Sequence, residues 1–125
     1  MAIADLVLSR EIEESAVEEA IKNFISYTER DGILFTNKSF WKLTGERQVL
    51  LYLAALSGRK FLKLPGPKLG ANNKEIEKAL RMKPSSVRAY LTTLRQRGFA
   101  YTKENNHFIT SQGLFELKEE TKNDK

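Results

Sequence analysis

Apolar positions at three- and four-residue steps dominate the start of the chain. Ile12, Ala16, Val17, Ala20, Ile21, Phe24 and Ile25 make one stripe beside an acidic face, which predicts an amphipathic helix over residues 9–30. Ser9 is placed to cap it, Glu11, Glu13 and Glu14 suit the positive end of its dipole, and Asp31-Gly32 supplies the stop. Ile33-Leu34-Phe35 reads as a short strand or extended connector, with Phe40 and Trp41 as buried positions after it. A second helix is expected from about Gly45 to Ser57, capped by Thr44 and ended by Gly58, with Val49, Leu50, Leu53 and Leu56 facing inward. Proline and glycine then exclude regular helix from Leu64 to Gly70. Asn72 caps a short third helix with Glu75 at the position of a capping box, and Ile76, Ala79 and Leu80 point inward. Pro84 opens the next helix, which runs to Arg97 before Gly98. Phe99–Thr102 and His107–Thr110 read as two strands around the polar turn Glu104-Asn105-Asn106. A last helix follows Thr110 and frays into the charged tail from Glu119 to Lys125.

Composition sets the class. The 125 residues are 41% hydrophobic and 30% charged, which suits one soluble domain. No apolar run approaches the roughly 18–20 residues of a membrane span, and the first residues lack a secretory leader, so an intracellular, cytoplasmic and nucleoid-associated location is expected. The chain has no cysteine and one histidine, which removes disulfides, thiolate metal sites and cysteine nucleophiles together. The net charge of +5 is unevenly held. Residues 1–32 carry three Lys or Arg against eight acids, residues 33–113 carry fifteen against four, and residues 114–125 carry three against four. The middle segment therefore stands at +11. A surface of that sign attracts polyanions, of which nucleic acid is the commonest inside a cell; the alternative is a solvated basic face that only aids solubility.

A more specific pattern lies between Asn73 and Phe99. Asn73–Leu80 as a short helix, Arg81-Met82-Lys83 as a turn and the helix from Pro84 can close one small core from Ile76, Ala79, Met82, Val87, Leu91 and Leu94, with Ala79 at the crossing. Ile109-Thr110-Ser111-Gln112-Gly113 looks like the "LTxxG" ending of many winged-helix regulators. Helix, short helix, three-residue turn, helix and hairpin over residues 45–110 thus resemble a winged helix-turn-helix domain of the archaeal and bacterial transcription-regulator type. The resemblance implies a mostly α fold with a small β-hairpin and an extra N-terminal amphipathic helix. It divides the chain into an acidic helix at 1–32, the winged helix-turn-helix domain at 33–118 and a charged tail at 119–125.

In such folds the second helix of the pair enters the major groove of DNA, N-terminal half first. On a helical wheel Val87, Leu91 and Leu94 define the buried side, and Ser85, Ser86, Ala89, Thr92, Thr93 and Gln96 define the outward one. Arg88 and Arg95 flank one edge of that strip; Tyr90 and Arg97 flank the other. A small uncharged strip between cations fits closely into a groove while its edges grip phosphates, yet it reads bases poorly. Affinity driven by the DNA backbone, and hence by salt, is expected. Ser85, Ser86, Ala89 and Thr93 are the candidate groove residues, and Arg88, Arg97 and Lys103 the candidate phosphate clamps. Tyr90 is divided between a phosphate hydrogen bond and packing at the core edge. Asn105 and Asn106 in the wing turn are divided between a minor-groove contact and simple turn formation. Lys74 and Lys83 complete the candidate DNA-binding residues.

Other chemistry finds no foothold. The segment from Lys60 to Lys68 and on through Asn73 lacks the Gly-Lys-Ser/Thr ending of a phosphate-binding loop. His107 has no partners at hydrolase or metal-site spacing and reads as a strand-start residue, while Glu13, Glu14, Glu18 and Glu19 read as a solvated face. No enzyme activity, metal or cofactor is expected. The stripe on residues 12–25 must be covered, either by the chain itself or by the same helix of a second copy with help from Leu114, Phe115 and Leu117; a homodimer is the expectation carried forward. The expected function is a homodimeric DNA-binding transcription regulator inserting helix 84–97 into duplex DNA. The alternatives are a non-sequence-specific architectural DNA-binding protein and a winged-helix protein-docking module of a larger complex.

Overall fold

The computed structural model describes residues 14–27, 33–35, 38–62 and 68–123. In chain order these form α1 (Glu14–Ile21), β1 (Ile25–Tyr27), β2 (Ile33–Phe35), a 3-10 turn at Lys38–Lys42, α2 (Gly45–Gly58), a second 3-10 turn at Arg59–Phe61, α3 (Asn73–Leu80), α4 (Pro84–Gln96), β3 (Ala100–Lys103), β4 (Asn106–Ile109) and α5 (Ser111–Asn123). The described residues are mostly helical, with two small antiparallel two-stranded sheets.

Helix α2 is the axis. Thr44 lies in extended backbone and its hydroxyl accepts the Arg47 amide hydrogen at 3.3 Å, which starts the helix as its sequence predicts. One inward stripe was the expectation, but every residue from Gln48 to Gly58 is buried. The cause is packing on all sides: α1, α3, α4, α5 and β4 each contact this helix. Leu51, Tyr52, Ala54 and Ala55 have neighbours too, and the two alanines allow close approach.

The N-terminal segment departs from the predicted helix over 9–30. Within the described residues the helix spans Glu14–Ile21 and the chain turns through Lys22–Phe24. Ile25–Tyr27 then pairs antiparallel with Ile33–Phe35, in the register Ile25↔Phe35 and Tyr27↔Ile33. Ile25, Ser26 and Tyr27 alternate buried, exposed and half-buried, and a branched and an aromatic side chain favour the strand. Ile25 is buried in either arrangement, so the helical period ran on past the helix itself. The Tyr27 hydroxyl donates to the Ala55 carbonyl at 2.7 Å, hooking the hairpin onto α2. The proposed Ser9 cap, Glu11, Ile12, Glu13 and the Asp31-Gly32 stop lie outside the described residues.

Val17, Ala20 and Ile21 are buried, and α1 packs on α2 and α5 of its own chain. Most of the described stripe is therefore covered within the chain, with Ala16 and Phe24 partly buried and Ile12 outside the described residues. Leu114 and Leu117 are buried as well; Phe115 is 61% exposed. Two further expectations are corrected. Trp41 is 41% exposed rather than buried, although Phe40 beside it is fully enclosed. Helix α5 continues to Asn123, so the tail drawn from Glu119 begins inside a helix; its glutamates and lysines are good helix formers that need no burial.

Gly113 sits inside α5, where a Cβ would come within 2.5 Å of the Phe99 carbonyl oxygen and 2.7 Å of Ile109 Cγ1. Backbone cannot yield as a flexible side chain does. Gly113→Ala is expected to lower unfolding free energy by about 1–3 kcal/mol, the usual effect of overpacking. Urea denaturation measures it, and an unchanged midpoint would contradict this close approach.

Candidate nucleic-acid interface

Local signals set the ends of α3 and α4. The Asn72 side chain accepts from the Glu75 amide at 2.9 Å and the Glu75 carboxylate accepts from the Asn72 amide at 3.1 Å, a complete capping box. Lys68 also pairs with Glu75, and the two contacts hold its carboxyl below the usual carboxylate range, the Lys68 hydrogen bond contributing most. Arg81 ends α3 in left-handed backbone (φ 56°), and Pro84 opens α4. Ile76, Leu80, Val87, Leu91 and Leu94 are buried between them, with Ala79 and Met82 packed at the margin.

With that side buried, α4 turns the predicted strip outward. Ser85, Arg88 and Ala89 are exposed, as are Thr92 and Gln96, while Ser86 and Thr93 are half-buried. The Thr92 and Thr93 hydroxyls donate back to the Arg88 and Ala89 carbonyls at 2.9 and 3.2 Å. Their donors are thus occupied within the helix, which weakens them further as base readers. Lys83, the residue before Pro84, is exposed and makes no side-chain cap.

The two edges of α4 are held differently. On one, the Tyr90 ring packs against Gly45, where any Cβ would overlap it. Arg97 follows on the same edge, and its Nη1 pairs with Glu46 Oε1 at 3.3 Å at the start of α2. The two edges thus differ: Arg97 is exposed but pairs with a carboxylate, and the Tyr90 ring lies against the fold. Arg88 has no ion pair among the described residues.

On the other edge a chain of polar contacts ties α4 to the hairpin and to α3. Arg95 Nη1 donates to Thr102 Oγ1 at 3.2 Å, and Thr102 Oγ1 stands 2.8 Å from His107 Nδ1. His107 Nε2 stands 2.6 Å from Asn73 Oδ1. This fits a neutral imidazole that accepts at Nδ1 and donates from Nε2–H. Backbone bonds between Ala71 and His107, at 3.2 and 2.8 Å, add a short bridge along the free edge of β4. His107 is 5% exposed and so is a buried joint between three elements rather than a peripheral strand start. Sequence reasoning missed it because its partner Asn73 lies 34 residues away in the chain. Glu104 and Asn105, at φ 53° and 67°, make a two-residue turn that brings Thr102 opposite His107 and Lys103 opposite Asn106.

That turn also sorts the wing residues. Lys103 and Asn105 are exposed at its tip. Asn106 belongs to β4, half-buried, and its Nδ2 donates to the Glu104 carbonyl at 3.1 Å, so its side chain serves the turn. Lys74 is exposed and lines an open cleft with Asn72, Asn73, Thr102, Asn105 and His107. Among the described residues no cluster of three or more His, Cys, Asp or Glu is placed to hold a metal, and no helix is long and apolar enough to cross a membrane. Comparison with protein families, curated proteins and solved structures finds no match for this chain.

Burial, and after it the nearby Arg95 charge, lower the pKa of His107. A cationic group whose pKa is lower folded than unfolded binds its proton preferentially in the unfolded chain. Stability is then highest above the ordinary histidine range near pH 6.5 and falls as pH drops through it. As the sole histidine, His107 dominates that window. The urea midpoint is expected to be lower at pH 5.5 than at pH 7.5, and His107→Gln should flatten the difference. An equal or higher wild-type midpoint at pH 5.5 would contradict the buried neutral imidazole.

Proposed function

We propose that the protein is a winged helix-turn-helix DNA-binding protein that lays α4 in the major groove of duplex DNA and acts by occupying it at many sequences, as an architectural protein or a broadly binding regulator does. One observation carries this reading: α4 is braced on both edges and presents between them a strip of small side chains next to cations that have no ion pair among the described residues. Ser85, Ser86 and Ala89 form the leading part of the strip, and Lys83 and Arg88 stand beside it. Two things add support. The hairpin β3–β4 is fixed beside α4 through Arg95 and Thr102, with Lys103 and Asn105 at its tip, the disposition of a wing. The bridge at Ala71 extends the hairpin by a third edge, as winged-helix sheets are extended. Lys74 at the N-terminus of α3 offers one more backbone contact.

Arg88, Lys83 and Lys103 are the phosphate contacts in this proposal. Arg97 would first have to leave Glu46, and Tyr90 orients α4 rather than touching DNA. Because the threonine hydroxyls are bonded back to the helix, discrimination among bases is modest, which favours binding at many sequences over one tight operator. The binding mode belongs to each copy, and a homodimer would place two such copies on one duplex.

Anisotropy titration of labelled duplexes of unrelated sequence, repeated across salt, tests this. Binding should be readily measured at low salt, differ little between sequences, and weaken steeply as salt rises. Arg88→Ala and Lys103→Ala should each reduce the slope of log K against log salt by about 0.9, one released counterion per lost phosphate contact. Absence of binding at low salt would overturn the proposal in favour of a protein-docking role.

A further inference from the structure

Trp41 is the single tryptophan of the chain, and 41% of it is exposed. An indole left this open in a small domain calls for a reason. Its inner side is well supported: the ring meets Phe35 edge-on at 5.1 Å between centroids and lies tilted against Phe40 at 5.0 Å. Its outer side carries the Arg81 guanidinium, 5.9 Å from the ring centroid.

Arg81 is unusual in its own right. It occupies the left-handed position that ends α3, at φ 56°, where glycine or asparagine is the unstrained choice. An arginine there bears a backbone cost with no ion pair among the described residues in return. A guanidinium over an aromatic ring is attracted by the ring's negative face, and its N–H groups stay available for a bidentate acceptor such as phosphate. The ring thus acts as a fixed rest that aims Arg81 outward.

The surroundings are basic. Lys38 and Lys42 belong to the same 3-10 turn as Trp41 and are exposed, and exposed Lys83 follows Arg81 by two residues. This ledge leads into the start of α2, where Gly45 receives the Tyr90 ring. It therefore borders the edge of α4 opposite the hairpin. That is the edge on which Arg97 is engaged by Glu46, so the cation missing from that side of α4 is supplied from here.

We propose that Arg81, held over Trp41 and accompanied by Lys38 and Lys42, is a second phosphate clamp that grips the duplex DNA backbone on the side of α4 away from the wing. The inference rests on the DNA-binding reading above and adds residues that reading does not use. It gives the interface two basic flanks with the uncharged strip between them.

Arg81→Gly is the informative variant, since glycine accepts the left-handed backbone more readily and the fold should be as stable to heat as wild type or more so. On a duplex of about 20 base pairs, Arg81→Gly should weaken binding several-fold at low salt and reduce the salt slope by about 0.9. In wild type, tryptophan emission should change on saturation with DNA, because the only indole lies in the contact. Wild-type binding with unchanged tryptophan emission, or an Arg81→Gly protein with wild-type affinity and slope, overturns the clamp and leaves the reading of α4 standing. Failure of wild type to bind duplex at low salt removes both. Polyglutamate that binds as tightly as duplex with the same emission change would reassign the ledge to an acidic protein partner, which also overturns it.

Discussion

The fold depends on burying α2 from every side. A helix enclosed over Gln48–Gly58 has no solvent face, so each element around it must take a definite place. The N-terminal end receives Tyr90 at Gly45 and Arg97 at Glu46, which sets the edge of α4. The C-terminal end receives the Tyr27 hydroxyl at Ala55, which sets the first hairpin. Even the polar residues of α2 are spent internally. Gln48 Nε2 donates to the Trp41 and Leu43 carbonyls at 3.3 and 3.1 Å, and the Ser57 hydroxyl donates to the Ala54 carbonyl at 2.6 Å. Gln48 thereby ties the 3-10 turn carrying Trp41 to the helix that carries everything else.

Apolar packing places α4 and, through buried Ala100 and Ile109, one face of the hairpin. A line of directional contacts through Arg95, Thr102, His107 and Asn73, which spans α4, both strands and α3, ties its other side. The two part-buried bonds at His107 add little net stability apiece, yet losing one leaves its partner poorly reached by water, whereas the Arg95–Thr102 bond is exposed. The division of labour suits a surface that must present one helix between two fixed flanks: non-directional packing behind, directional bonds at the side.

Much of this was legible in the sequence, and the reasons are local. Thr44, the Asn72–Glu75 pair, Pro84 and Gly98 each act on the few residues next to them, so the ends of α2, α3 and α4 fell close to where they were expected. The outward strip followed from the wheel because Val87, Leu91 and Leu94 admit only one buried side. What escaped depended on contacts distant in the chain. The period from Ala16 to Ile25 is consistent with a longer helix until β2 is available to pair with Ile25–Tyr27. The partner of Arg97 lies 51 residues away in sequence. The cation over Trp41 comes from the end of α3, and the Asn73 partner of His107 lies 34 residues away.

The central claim is that α4 and its flanks, not the acidic N-terminal helix, meet the nucleic acid. Mapping backbone amide shifts by NMR during titration with a duplex at low salt tests it most directly. Changes are expected over Arg81–Thr93, around Lys103–Asn105 and at Lys38–Lys42, with α1 and α5 unperturbed. Changes confined to α1 or α5, or none anywhere on the protein, would contradict it.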